Sequence, residues 1–228
     1  MQKKEGDSLK LFDNMLAHLK NKKRILFLTT STRWEKAKVE PKSTQVAKLL
    51  QRKLGKKVKI IDVSKLKIYT CEGNVSNADG NSCGLKDALL KDKFKNPSGC
   101  HRCWVSFNNK DDELWKISKE VLQSDCVVFF ASIRWGQANS VYQKMIERLT
   151  WLENRHSTLG EENILKNIEA GIILFGHNWH GKTVLKTQKN VLKFFGFKVI
   201  NTLCWNWQFT SNSDDETQEN YKKDFQVF

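Results

Sequence analysis

Cys126–Leu149, CVVFFASIRWGQANSVYQKMIERL, is the stretch on which the fold reading turns. Its first six residues, Cys126–Ala131, are apolar without a break, which marks a strand covered on both faces rather than on one. Asn139–Trp151 then carries Val141, Met145, Ile146 and Leu149 at helical spacing. The strand therefore passes through a polar loop, Ser132–Asn139, into an amphipathic helix, which is half of a parallel βαβ unit.

The same alternation extends to either side. Arg24–Thr30 (RILFLTT) and Val58–Val63 read as strands flanking a helix over Ser43–Leu54, with Val46, Leu49 and Leu50 inward and Gly55 as its stop. Asp111–Gln123 reads as a helix through Leu114, Ile117, Val121 and Leu122. Downstream, the strand Gly171–Phe175, the helix Thr183–Phe195 and the strand Phe197–Cys204 close the series. Ahead of it all, Leu9, Phe12, Leu16 and Leu19 place a leading amphipathic helix over Ser8–Lys20. Strands alternating with helices predict an α/β fold of three layers: a doubly wound, parallel, five-stranded sheet with helices on both faces. The expected organisation is an N-terminal helical extension over 1–22, one domain over 23–210, and a polar tail over 211–228. Residues 71–110 show no sustained period and read as a long irregular insertion after strand two, a type of segment often tied to function.

Composition narrows the function. With 39% hydrophobic residues, 8 Trp and 13 Phe, the chain can bury a sizeable core. The longest apolar runs, Val127–Ala131 and Gly171–Gly176, fall far short of the roughly 18 residues that cross a bilayer, and MQKKEGDSLK has no apolar h-region. A cytoplasmic protein is expected. The net charge of +14 is concentrated in residues 1–70, which hold 19 Lys+Arg against 6 Asp+Glu. That suits a phosphate-bearing partner, although scattered lysine equally suits a solvated face. No nucleic-acid reading motif accompanies it, so nucleic acid is not the expected partner. Of the six cysteines, Cys126 and Cys204 lie in apolar runs and read as small buried hydrophobes. Cys71, Cys83, Cys100 and Cys103 share the irregular insertion, but only Cys100-His-Arg-Cys103 is compact. The wide gaps before it match no zinc or iron–sulfur ligand pattern, so no metal is expected there.

In a doubly wound sheet a ligand sits beyond the carboxyl ends of the strands. Three loops leave such ends here. Thr29-Thr30-Ser31-Thr32-Arg33 leads toward a helix opening at Ser43-Thr44; hydroxyls, free N–H groups and a helix N-terminus can hold a phosphate, with Arg33 adding charge. An ordinary polar loop with Ser43 as N-cap explains the same residues. Neither G-x-G-x-x-G nor a Walker lysine is present, which disfavours a Rossmann dinucleotide or a P-loop nucleotide. Ile133-Arg134-Trp135-Gly136-Gln137 offers an aromatic, an approachable glycine and amides to a flat heteroaromatic ring, unless Trp135 merely caps the core. Gly176-His177-Asn178 leaves the fourth strand as a ligand-edge or solvent-exposed loop. No Ser/His/Asp or Cys/His constellation stands out.

Ala131–Glu153, ASIRWGQANSVYQKMIERLTWLE, resembles a segment of the NAD(P)H-dependent FMN reductase and iron–sulfur-flavoprotein-like branch of the flavodoxin-like superfamily: a small residue, an aromatic-Gly step, then a helix with Lys144, Glu147 and Arg148. LFGHNWHG (Leu174–Gly181) and the Ser31/Thr32/Arg33 loop are similar to two further segments of that branch. The family's usual Pro in the first loop is Thr32 here. The resemblance implies a strand order 2-1-3-4-5 and a non-covalent FMN. Its phosphate would lie on Ser31, Arg33, Ser43 and Thr44, and its ring between Ile133, Arg134, Trp135, Gly136, Gln137 and Gly176, His177, Asn178. It further implies hydride transfer from NAD(P)H to the flavin and on to a quinone, flavin or similar small-molecule acceptor, with Arg134 in an electrostatic role, in a homodimer or homotetramer. An electron carrier without nicotinamide activity and a cofactor-free basic regulatory protein are the alternatives.

Overall fold

A computed structural model of the chain describes residues 2–33, 36–74, 83–176 and 180–208. The elements follow in the order α1 (Gln2–Lys20), β1 (Ile25–Thr29), α2 (Lys42–Leu54), β2 (Val58–Asp62), α3 (Trp104–Asn108), α4 (Leu114–Val121), β3 (Cys126–Arg134), β4 (Gln137–Ala138), α5 (Ser140–Arg148), α6 (Thr150–Ser157), β5 (Glu169–Gly176), α7 (Gly181–Phe195) and β6 (Lys198–Gln208).

The sheet runs β2-β1-β3-β5-β6 with every neighbour parallel, the topology expected for five strands numbered 2-1-3-4-5. Alternation along each strand divides the core in two. Leu26, Leu28, Val127 and Phe129 face α4, α5 and α7 through Ile117, Met145 and Leu192. Ile25, Phe27, Val128 and Phe130 face the opposite layer, where α2 contributes Val46, Ala47 and Leu50. Burial of both faces explains the unbroken apolar strands. The N-terminal helix is a working part of this body. Phe12, Met15 and Leu19 of α1 are buried in the α2 layer, beside Trp205 and Trp207 of β6. Glu169, opening β5, accepts from His18 at 2.7 Å and pairs with Lys22 at 2.8 Å, fastening the helix's last turn to the sheet.

Three local expectations change. The helix expected over Asn139–Trp151 is two helices, α5 and α6, divided at Leu149. The helix expected over Asp111–Gln123 is confined to Leu114–Val121. The loop after strand three is a hairpin: β3 continues to Arg134 and pairs antiparallel with β4 through Ile133–Ala138 and Arg134–Gln137. The two residues between, Trp135 (φ 49°) and Gly136 (φ 70°), both lie in the left-handed region, as a two-residue I′ turn demands.

The insertion is also more ordered than its composition suggests. Leu89 bridges Arg102, and Cys83, Ala88, His101, Cys103 and Val105 are buried. It docks on α5 where a fully buried ion pair sits just past the insertion's end: Arg148 Nη1 and Nη2 donate to the two oxygens of Asp112 at 2.9 and 2.8 Å, and Nη2 also donates to Ser106 Oγ, within the insertion, at 3.0 Å. Burial alone favours the neutral carboxyl; the bonds from Arg148 and Ser106 outweigh it and hold Asp112 below the usual carboxylate range.

Candidate functional site

The strand order sets β1, β3 and β5 side by side, so the three candidate loops leave neighbouring strands. Thr29 lies opposite Phe130, and Ser132 opposite Phe175. At under 5 Å per strand, the exits of β1 and β5 stand about 10 Å apart.

On the β1 side, Thr29 and Ser31 are buried, as are Ser43 and Thr44 in the first turn of α2. The hydroxyls of all four have no hydrogen-bond partner among the described residues. The same helix start has Pro41 at its N-cap, no capping side-chain bond and no acid in its first turn, so its leading N–H groups and positive dipole end are left to an outside acceptor. Buried polar atoms are almost always bonded. Four exceptions at one strand exit and one helix N-terminus fit an oxyanion with several acceptor oxygens. Arg33 lies exposed just beyond. A cavity of about 430 Å³ lies along α2 itself, lined by Lys38, Val39, Glu40, Gln45, Leu49 and Arg52 among others, and not over the strand ends.

On the β3 side, Trp135 stands at the hairpin tip with 91% of its surface exposed, so it does not cap the core. Arg134 and Gln137 flank it, both exposed, while Ile133 turns its side chain into the core. A Cβ on Gly176 (φ 128°) would sit 3.5 Å from the Ile133 carbonyl, so the β5 exit closes directly on the base of the hairpin. His177 and Asn178 lie outside the described residues. Thus Ser31, Ser43 and Thr44 are gathered at one edge, and Arg134, Trp135, Gly136, Gln137 and Gly176 at the other. The Thr29 hydroxyl joins the first group, as the hydroxyl run Thr29–Thr32 suggested, although the phosphate contacts implied by the resemblance begin at Ser31.

Cys83 lies within electrostatic reach of Cys71 and Cys103, but the cysteines form no metal-ligand group among the described residues. Cys71 is exposed, Cys100 half-buried, Cys83 and Cys103 buried, and burial pushes the Cys83 thiol up to about 12. Among the described residues no group of three or more His, Cys, Asp or Glu is placed to hold a metal ion. None of the described helices is long and apolar enough to cross a membrane.

No protein-family model and no curated protein sequence matches the chain. Solved structures do. The chain is similar to RosB with bound 8-demethyl-8-formylriboflavin-5′-phosphate, at a TM-score of 0.55 and 16% identity over 90% of this chain and 75% of that one. It is similar to the azoreductase of Bacillus anthracis str. Sterne at 0.52 and 16%, over 90% and 93%, and to azoreductase AzrA at 0.51 and 16%, over 89% and 95%. The shared architecture is the flavodoxin-like fold.

Proposed function

We propose that this chain is an FMN-binding, NAD(P)H-dependent oxidoreductase. The observation that carries the reading is the set of unpartnered buried hydroxyls on Thr29, Ser31, Ser43 and Thr44 at an uncapped helix N-terminus. Left dry and unbonded, each is destabilising by about 1–3 kcal/mol; donated to a phosphate, all four are satisfied at once. RosB, on the same fold, carries a riboflavin 5′-phosphate derivative, which supports the same ligand class here.

In this reading the four hydroxyls and the first N–H groups of α2 bind the phosphate, and Arg33 adds a positive charge at its rim. The Trp135-Gly136 turn, Arg134, Gln137 and the main chain at Ile133 border one side of the ring. Gly176 would border the other, with His177 and Asn178 proposed beside it from the sequence. Bound FMN would supply the redox chemistry, taking two electrons from a nicotinamide and passing them to a quinone, a flavin or a similar acceptor. The protein's share is placement and electrostatics. The Arg134 guanidinium would stabilise negative charge developing on the bound ring. Hydride transfer asks for no side-chain acid or base, consistent with a site built from hydroxyls, an arginine and a tryptophan. A small-molecule acceptor and a homodimeric or homotetrameric assembly complete the reading.

The test is an absorption spectrum of the purified protein before and after adding FMN, followed by NADH or NADPH under nitrogen. A flavin spectrum that the nicotinamide bleaches is expected. A protein that stays colourless, and whose thermal midpoint FMN does not move, refutes the flavin reading. A bound flavin that neither nicotinamide bleaches refutes the NAD(P)H half alone.

A further inference from the structure

An asparagine just ahead of a helix normally turns its side chain onto an amide of that helix's first turn. Asn139 holds this position before α5, with φ −60° and ψ 155°, and makes no such bond. It reaches across the sheet instead. Its Nδ2 donates to the Thr30 carbonyl at 2.7 Å, and its Oδ1 accepts from the Thr30 hydroxyl at 3.0 Å and from the Ser132 N–H at 3.2 Å. The Asn139 N–H closes the ring by donating to the Ser132 carbonyl at 2.9 Å. At 6% exposure these bonds are made away from water, where losing one matters most.

Thr30 immediately precedes Ser31, and Ser132 immediately precedes Ile133. Beyond the ladder bond from the Thr30 N–H to the Phe130 carbonyl at 3.0 Å, one side chain thus ties the backbone leaving β1 to the backbone entering the β3–β4 hairpin. We propose that Asn139 is a positioning residue that sets the separation between the phosphate-holding and ring-holding halves of the site. This inference rests on the flavin reading above and deepens it. A ligand that spans two subsites binds tightly when the second contact forms within an already fixed geometry. Without the clamp each half survives, because Ser43 and Thr44 belong to α2 and the turn is pinned by its own strand pairs; their spacing is what is released. A serine at position 139 could cap α5 but is too short to bond both strands.

The experiment compares the unaltered protein with Asn139→Ser, Asn139→Ala and Thr30→Val. Each is titrated separately with FMN, riboflavin and inorganic phosphate, and its ligand-free thermal midpoint is recorded. Asn139→Ser is expected to weaken FMN about tenfold, while riboflavin, which lacks the phosphate, and inorganic phosphate each change by less than about twofold. Thr30→Val removes the clamp bond to Asn139 together with the hydroxyl's contact to the Phe130 carbonyl at 3.1 Å; it should weaken FMN about threefold, with the double variant no worse than Asn139→Ser alone. If Asn139→Ser does not fold, Thr30→Val decides by the same comparison. Unchanged FMN binding overturns the proposal, and so does an equal loss for riboflavin and FMN, the mark of a merely structural role. Failure of the unaltered protein to bind either flavin overturns the flavin reading itself, before any substitution is made.

Discussion

Where the insertion meets α5, Arg148 and Asp112 are buried with their charged atoms bonded to each other and to Ser106. Where β1 meets α2, Thr29, Ser31, Ser43 and Thr44 are buried with their hydroxyls bonded to nothing among the described residues. Both clusters remove polar atoms from water, and the physical penalty for doing so is the same in kind. Only the first is compensated within the chain, at every charged-group atom except the Arg148 Nε. A saturated cluster is a structural joint, and removing a member strands its partner; an unsaturated one gains its partners from a ligand, and removing a member leaves the fold unharmed.

The sharpest way to break this contrast is at the saturated joint. Arg148→Met leaves the Asp112 charge buried without its counter-ion and should destabilise the chain by about 3–5 kcal/mol, read by urea unfolding. A loss under about 1 kcal/mol would deny the pair its structural role.

Next in size is a pH effect on the same side of the molecule. His101 is buried against the Trp151 ring with neither ring nitrogen bonded, and burial pushes its imidazole down to about 3. The unfolded chain takes up this proton near pH 6.5, whereas the folded chain holds it off until about pH 3. Below pH 6.5 the unfolded state therefore binds more protons, and stability falls as pH falls, by up to about 1.4 kcal/mol per pH unit. From pH 6.5 to 4 that is about 3 kcal/mol, and His101→Phe should flatten it. Unfolding curves with the same pH slope in both proteins would contradict this.

The unsaturated cluster should respond in the opposite sense. Ser43→Ala removes an unbonded hydroxyl, so the ligand-free protein keeps its stability within about 0.5 kcal/mol or gains, while FMN binds about tenfold more weakly. A variant that unfolds more easily yet binds FMN normally would place Ser43 with the structural joints.

The smallest expected effect is at the hairpin tip. Trp135 has its bulky side chain in left-handed backbone and buries almost none of it. Trp135→Asn, a residue at ease in that conformation, should raise stability by about 1 kcal/mol and weaken flavin or substrate binding. If stability falls instead, Trp135 has packing partners that its exposure belies.

Much of this was legible in the residues. The apolar runs at Arg24–Thr30, Cys126–Ala131 and Gly171–Phe175 became β1, β3 and β5 because burial of both faces writes itself into consecutive residues. The loops holding Ser31 and Trp135 were readable for the same reason, since strand ends follow from strands. The hairpin was not, because Gln137-Ala138 is too short to show a period and an isolated tryptophan does not announce a positive φ. Nor was the docking of the insertion, which hangs on Arg148 and Asp112, 36 positions apart in sequence.

Sequence alone determined the order of strands and helices, the parallel three-layer body and the hydroxyl-rich exit of the first strand, because periodicity and composition are local properties. Tertiary structure alone decided that Asn139 would bond Thr30, 109 positions away, in place of its own helix, that Arg148 would be buried with a counter-ion, and that four hydroxyls would be buried without one. A side chain's partner is whichever group packing brings within about 3 Å, and no local pattern encodes that.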